Sequence, residues 1–270
     1  MNHIEAGRYW NDNAAAWTEL SRAGYDICRD AFNTPSFLAI LPNIRGMHGL
    51  DIGCGEGHNT RLLAERGAHM TAVDISEVFI RHARQHPSSR TIDFCIASAV
   101  DLPFPSESFD FVASFMCFMD VPETERVISE AFRVLKPAGF LQFSITHPCF
   151  DTPHRRNVRT AADDCVAVEV GDYFQEMNGR VSEWTFSATP PATTARFAKF
   201  KVPLFNRTLS FWLNTLITSG FTIEWLAEPY PSDEVVNQRP GLQPCQVVAY
   251  ILHVRARKPS AASPEGHPNV

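Results

Sequence analysis

Gly49-Leu50-Asp51-Ile52-Gly53-Cys54-Gly55-Glu56-Gly57 decides how this chain is read. An apolar run leads into it, an acid sits ahead of the turn, and three glycines alternate through it before a helical pattern from His58 to Arg66. The order is strand, tight glycine turn, helix N-terminus. Glycine is needed where the backbone takes a positive φ or comes close to a ligand. The free N–H groups that open a helix suit an electron-rich ligand edge. Asp51 adds a negative charge that a phosphate site would avoid, so the turn suits a cationic ligand or one bearing an ammonium group. Ala68 to Val73 then forms a short, apolar-leaning segment closing on Asp74. An acid at the tip of the second strand of a β-α-β unit is placed to accept from ribose hydroxyls.

Outward from this unit the alternation continues. Strands are predicted over Met70 to Asp74, Ile92 to Ala97, Phe109 to Phe115 and Phe140 to Ile145. Helices are predicted over Ser76 to His86, capped by Ser76, and over Pro122 to Leu135, ended by Pro137 and Gly139. Such alternation implies a parallel sheet with helices on both faces. Residues 147–206 break the rhythm with three extended pieces, Val166 to Phe174, Arg180 to Ser187 and Ala195 to Val202, and Asn178-Gly179 signals a hairpin between the first two. A helix over Thr208 to Ser219, a sixth strand over Phe221 to Ala227 and a seventh over Cys245 to Arg257 complete the pattern. The predicted fold is α/β: a Rossmann-like, doubly wound, mostly parallel seven-stranded sheet with a small antiparallel insertion after strand five. Residues 1–44 read as a helical lid segment, 45–258 as the main domain with 147–206 inserted over the site, and the Pro-, Ser- and Ala-rich 259–270 as a disordered tail.

Four ordered motifs carry a family resemblance. Asp51-x-Gly53-x-Gly55-x-Gly57, Val73-Asp74-Ile75-Ser76, the run from Asp101 to Val112 and the run from Ala131 to Phe140 together resemble the class I S-adenosylmethionine-dependent methyltransferases, strongly over about residues 45 to 148. The resemblance implies S-adenosylmethionine as cofactor. Gly53, Gly55 and Gly57 would let the backbone pass under its methionine and ribose. Asp51 would face its ammonium group and Asp74 its ribose hydroxyls, while Ile75 would lie along the adenine. Ser98 and Ala99 fall where similar enzymes bind the adenine edge, although many have an aspartate in the place of Ser98. Phe115 ends strand four, where the chain borders both cofactor and acceptor. A dinucleotide-binding dehydrogenase fits less well, because its turn would read G-x-G-x-x-G and position 58 here is His.

Composition narrows the acceptor. The chain has 270 residues and a formal net charge of −6, which argues against general affinity for nucleic acid. No apolar run approaches the roughly 20 residues of a membrane helix. Met1 to Trp10 lacks a signal-peptide pattern, and the seven cysteines are scattered singly, so a cytoplasmic, reduced protein is expected. The expected partner is a small-molecule substrate, with no nucleic acid and no membrane; the oligomeric state stays open. Trp10 and Trp17 on the lid, with Tyr173 and Trp184 on the insertion, are candidate substrate contacts able to stack on a planar or greasy acceptor. His147, leaving strand five, is the candidate catalytic base, since an imidazole titrates near neutrality; a histidine bonded to the insertion backbone is the plain alternative. His82 and His86 share a helix face but lack further ligands, so no metal site is expected. Two other functions fit the same motifs: a catalytically silent S-adenosylmethionine-binding sensor or scaffold, and an RNA methyltransferase.

Overall fold

A computed structural model describes residues 1–260. The expected tail at 259–270 lies almost entirely outside the described residues. The chain opens with α1 (His3–Arg22), whose Asn2 side chain accepts from the Glu5 amide while Glu5 accepts from the Asn2 amide. A π-helical turn (Arg29–Asn33) leads into α2 (Thr34–Ala39). Then follow β1 (His48–Ile52), α3 (His58–Glu65), β2 (His69–Asp74), α4 (Glu77–Gln85), β3 (Asp93–Ile96), β4 (Phe109–Phe115), α5 (Thr124–Val134) and β5 (Leu135–Thr146). The inserted region carries β6 (His154–Arg159), β7 (Cys165–Gly171), β8 (Arg180–Trp184), α6 (Pro191–Thr194) and β9 (Phe200–Leu204). α7 (Leu209–Thr218), β10 (Thr222–Ala227), α8 (Asp233–Gln238), α9 (Pro244–Val247) and β11 (Ile251–Arg257) close the chain.

The main sheet has seven strands in the order β10-β11-β5-β4-β1-β2-β3, and only β11 runs antiparallel. Side chains alternate across it as strand geometry requires. Leu50, Ile52, Val112, Leu141 and Phe143 pack under α5 and α7, against Ile128 and Trp212. Phe111, Ala113 and Ala72 face the other way, toward α2, α3 and α4, against Phe37, Leu63 and Ile80. Both faces are covered, which is why the central strands read as nearly unbroken apolar runs.

Three expectations change. The helix before β5 ends at Val134, and β5 starts at once at Leu135, five residues early. Leu135 pairs with Phe109 and Phe140 with Phe111, so the intervening residues bulge out, with Ala138 at φ +63°. In the insertion, Asn178-Gly179 does turn, at φ +47° and +83°, but its flanking segments do not pair. β6 pairs instead with β7, and β8 with β9. β9 is drawn away by α1: Asn13 donates to the Lys201 carbonyl at 2.9 Å and accepts from the Lys201 amide at 3.0 Å, as a neighbouring strand would. The seventh strand begins at Ile251, because residues 244–247 coil into α9.

Candidate active site

The glycine turn is stapled to β2. The amides of Gly53 and Cys54 both donate to the Val73 carbonyl, at 2.8 and 3.0 Å, and the Gly55 amide donates to Asp74 Oδ2 at 2.9 Å. Gly53 and Gly55 hold φ of +74° and +54°, for different reasons. A Cβ on Gly53 would lie 2.1 Å from Cys117 Sγ, so this glycine makes room for β4's exit. A Cβ on Gly55 would meet nothing within 4 Å; it faces open space above the turn.

That space belongs to a cavity of about 1000 Å³ at the carboxyl ends of the central strands. Its floor is the set of residues expected to hold a cofactor: Asp51, Gly53, Gly55, Asp74, Ile75, Ser98, Ala99 and Phe115 all line it. Asp51 is 1% exposed. Its Oδ2 accepts from Thr60 Oγ1 at 2.5 Å, and its Oδ1 has no partner among the described residues. Burial pushes its carboxyl up to about 7 despite that hydrogen bond, with nearby Asp74 adding repulsion. Asp74 is buried as well, which raises it to about 6 against the two amides, of Ser76 and Gly55, that donate to it. Each amide fixes one carboxylate oxygen and leaves it a further lone pair toward the cavity.

The roof comes from α1 and the insertion. Ile75 packs beneath Gly7 of α1, where a Cβ would approach Ile75 Cδ1 to 2.7 Å. Asn11 meets Ser76 Oγ at 3.0 Å. Glu56, in the glycine turn, is clamped between Arg61 of α3 at 3.0 Å and Arg22 of α1 at 2.7 Å, tying the roof to the floor. Trp10, Trp17 and Trp184 line the cavity as expected. Trp17 is also the hub of the seam between α1 and the insertion, 4.8 Å from the ring centres of Phe186 and Phe200 and 5.5 Å from that of Trp184. The aromatic residues therefore both close the roof and present edges to the space below.

Two expected residues stand elsewhere. Tyr173 is not on the cavity wall; its hydroxyl accepts from the Leu209 amide at 2.7 Å, at the start of α7. His147 does not reach the cavity either. It is 3% exposed, its Nδ1 accepts from the Cys149 amide at 3.1 Å, and its Nε2 therefore donates to Glu228 Oε1 at 2.8 Å. Both nitrogens are engaged in holding the turn after β5, so the geometry carries no base role for His147. His147→Ala is expected to lower stability by about 1–3 kcal/mol, the cost of unpairing buried groups. Cofactor affinity should stay unchanged, as thermal melts beside calorimetry would show.

Further wall residues carry no local sequence signal, except Arg155, whose basic cluster with Arg156 and Arg159 could receive an acidic substrate. Asp26, Asp120, Asp151, Arg155 and Tyr250 line the cavity, as does His58, which burial first and Arg29 next depress to about 4, leaving a neutral imidazole at pH 7. They come from five separate segments, and no local spacing links them. The one available signal was position: Asp120 and Asp151 each follow a central strand within about five residues, where open α/β sheets bind ligands.

The floor fits a ligand bearing an ammonium group, since Asp51 Oδ1 is buried, unpartnered and against the cavity. Residues 50–143 match the model of a methyltransferase domain. A solved S-adenosylmethionine-dependent methyltransferase from Mesorhizobium loti superposes with a TM-score of 0.65 at 28% identity, over 83% of this chain and 96% of that one. Residues 50–143 are a methyltransferase domain on the class I S-adenosylmethionine-dependent fold. A Haemophilus influenzae protein of uncharacterised activity is 28% identical over 238 residues, 84% of this chain and 87% of its own. The ubiquinone biosynthesis O-methyltransferase of Idiomarina loihiensis is 35% identical over 127 residues, so the match spans only about half of each, 46% and 49%. This methyltransferase thus uses S-adenosylmethionine as its methyl donor, on a seven-stranded class I sheet. Among the described residues, no helix is long and apolar enough to cross a membrane.

Proposed function

We infer that this methyltransferase acts on a small molecule enclosed between the glycine turn and the aromatic roof. The observation that carries this is the cavity itself, which runs continuously from Asp51 and Asp74 to Trp10, Trp17 and Trp184 under a roof of α1 and the insertion. A roofed cavity of about 1000 Å³ has the scale of sites that enclose small ligands. One relative is named for ubiquinone biosynthesis, the making of a small molecule.

In this reading Asp51 Oδ1 takes the donor's ammonium group, which matches its missing partner. Asp74 accepts from the ribose hydroxyls with the lone pairs that its two amide donors leave free. Ile75, held under Gly7, lies along the adenine; Ser98 and Ala99 border its edge, and Phe115 flanks the passage to the acceptor. When bound, S-adenosylmethionine supplies an electrophilic methyl carbon. The protein's own contribution is to hold the acceptor in line with it and to exclude water, work for which the Trp17 seam and the Arg22–Glu56–Arg61 clamp are suited.

Asp74→Ala is expected to weaken S-adenosylhomocysteine binding by about 1–3 kcal/mol, the cost of leaving hydroxyl donors unmatched. Calorimetry checks it, and an unchanged affinity would remove Asp74 from the ribose role. The function itself is tested by incubating the enzyme and S-adenosylmethionine with panels of small phenols, amines and carboxylates, and with RNA, while following S-adenosylhomocysteine. Turnover on a small acceptor supports the reading. Turnover confined to RNA would overturn it, and none with any acceptor would favour a silent sensor.

A further inference from the structure

Beyond the glycine turn the cavity wall carries two acids, Asp120 and Asp151, with Arg155 and Arg180 among its cations. Asp120 ends the helical turn Phe118–Asp120 just after β4, and Asp151 lies in the turn after β5. β4 and β5 are hydrogen-bonded neighbours, with Phe115 opposite Ser144, so both acids rise from adjacent strand ends and both line the cavity. The turn that presents Asp151 is fixed at both sides: its amide donates to the His147 carbonyl at 2.8 Å, and the His147 amide donates to the Tyr250 carbonyl at 2.8 Å.

Neither Asp120 nor Asp151 forms an ion pair among the described residues. Arg155 attracts the Asp151 carboxylate without forming an ion pair with it: its Nε donates to the Phe150 carbonyl at 3.0 Å and its guanidinium lies over the Tyr250 ring at 5.4 Å. Burial, and for Asp120 repulsion from Asp151, raise both carboxyls above their ordinary range; at Asp151 a hydrogen bond with Thr146 and the Arg155 charge offset this only in part. Two carboxyls that repel each other in a cavity are costly unless a cation joins them. Trp10, Trp17 and Trp184 add aromatic surface, to which a cation is drawn.

We propose that Asp120 and Asp151 form the acceptor-binding pair of this enzyme and select a protonated amine, with Asp151 taking its proton. The proposal rests on the reading above that a small acceptor enters this cavity. The ammonium gives one N–H proton to the Asp151 carboxylate, which returns it to water after the product leaves. The lone pair so freed forms the N–C bond to the methyl carbon, and the electrons of the broken C–S bond stay on sulfur. Ammonium and sulfonium become methylammonium, thioether and one released proton.

The test is calorimetry on the full chain loaded with S-adenosylhomocysteine. Probes are tryptamine, phenethylamine and cyclohexylmethylamine, each beside the alcohol and the carboxylate of the same skeleton. At least one amine should bind about tenfold or more tighter than its alcohol, with no binding of its carboxylate. Asp120→Asn and Asp151→Asn, which keep side-chain shape, should each erase that preference while S-adenosylhomocysteine affinity holds. Alcohols or carboxylates binding as well as amines, no amine binding, or variants that keep the preference would each overturn the proposal. Loss of S-adenosylhomocysteine binding by the unmodified protein is a separate result: it would refute the cofactor geometry on which the function rests.

Discussion

Gly55→Val is expected to abolish binding of S-adenosylhomocysteine, by more than about a hundredfold, in a protein that still folds. Two facts on Gly55 produce this separation. Its φ of +54° makes a side chain costly there, by about 1–2 kcal/mol for any L-residue and more for a β-branched one. Yet a Cβ at this position meets no atom within 4 Å, so the substitution clashes with nothing in the free protein. The new methyl groups fill the space directly above the turn, where the donor is to lie. Gly53 offers the informative contrast. A Cβ there falls 2.1 Å from Cys117 Sγ, so Gly53→Val should damage the turn itself and lower the melting temperature further. Circular dichroism melts with calorimetry separate the two effects. Near-normal binding by the folded Gly55 variant would show that the backbone does not pass beneath a ligand.

The second large effect is a pH dependence set by Asp51. In the free protein its carboxyl titrates at about 7, against 3.8 unfolded, because it is buried with one oxygen unpartnered. A raised acid favours the folded state while protonated. Its contribution is therefore fully present below about pH 4 and is lost as pH rises through about 7. Binding has the opposite sign. An ammonium group against Oδ1 favours the carboxylate, so the proton must leave as the ligand enters. S-adenosylhomocysteine should bind about tenfold more weakly at pH 6 than at pH 8, with a proton released at the lower pH. Asp51→Asn should bind more weakly at pH 8 and lose most of that slope. Asp74, at about 6, adds a smaller trend in the same direction below that value. Calorimetry in buffers of different ionisation enthalpy reads the proton directly, and a flat profile in the unmodified protein would break the link between Asp51 and an ammonium group.

The legible parts of this protein are those written in local chemistry. β4, with its unbroken run Phe109 to Phe115, emerges as read, because a strand buried on both faces needs nothing from its neighbours to be recognised. The glycine turn and Asp74 are equally local, since their spacing is the geometry. The insertion was not. Asn178-Gly179 forms its turn, but β8 finds β9 rather than the segment before it, and β9 is held by Asn13, far away in α1. Such a choice is made by tertiary contacts that no turn signal encodes. His147 misleads for a related reason. Its place after β5 is where an acceptor-side group belongs, but its ring turns to Glu228 and its backbone presents Asp151 instead. Tyr173 likewise spends its hydroxyl on the amide that opens α7. The acids of the acceptor half come from separate loops and converge only when the sheet forms.

One measurement reaches the small-molecule acceptor directly. Purified enzyme and S-adenosylmethionine are incubated with a cell extract split by dialysis, and S-adenosylhomocysteine is followed in each half. The roofed cavity predicts product formation with the dialysable fraction, lost in the Gly55→Val variant. Product formation confined to the retained fraction, and abolished there by ribonuclease or protease, would contradict it and make the acceptor a macromolecule.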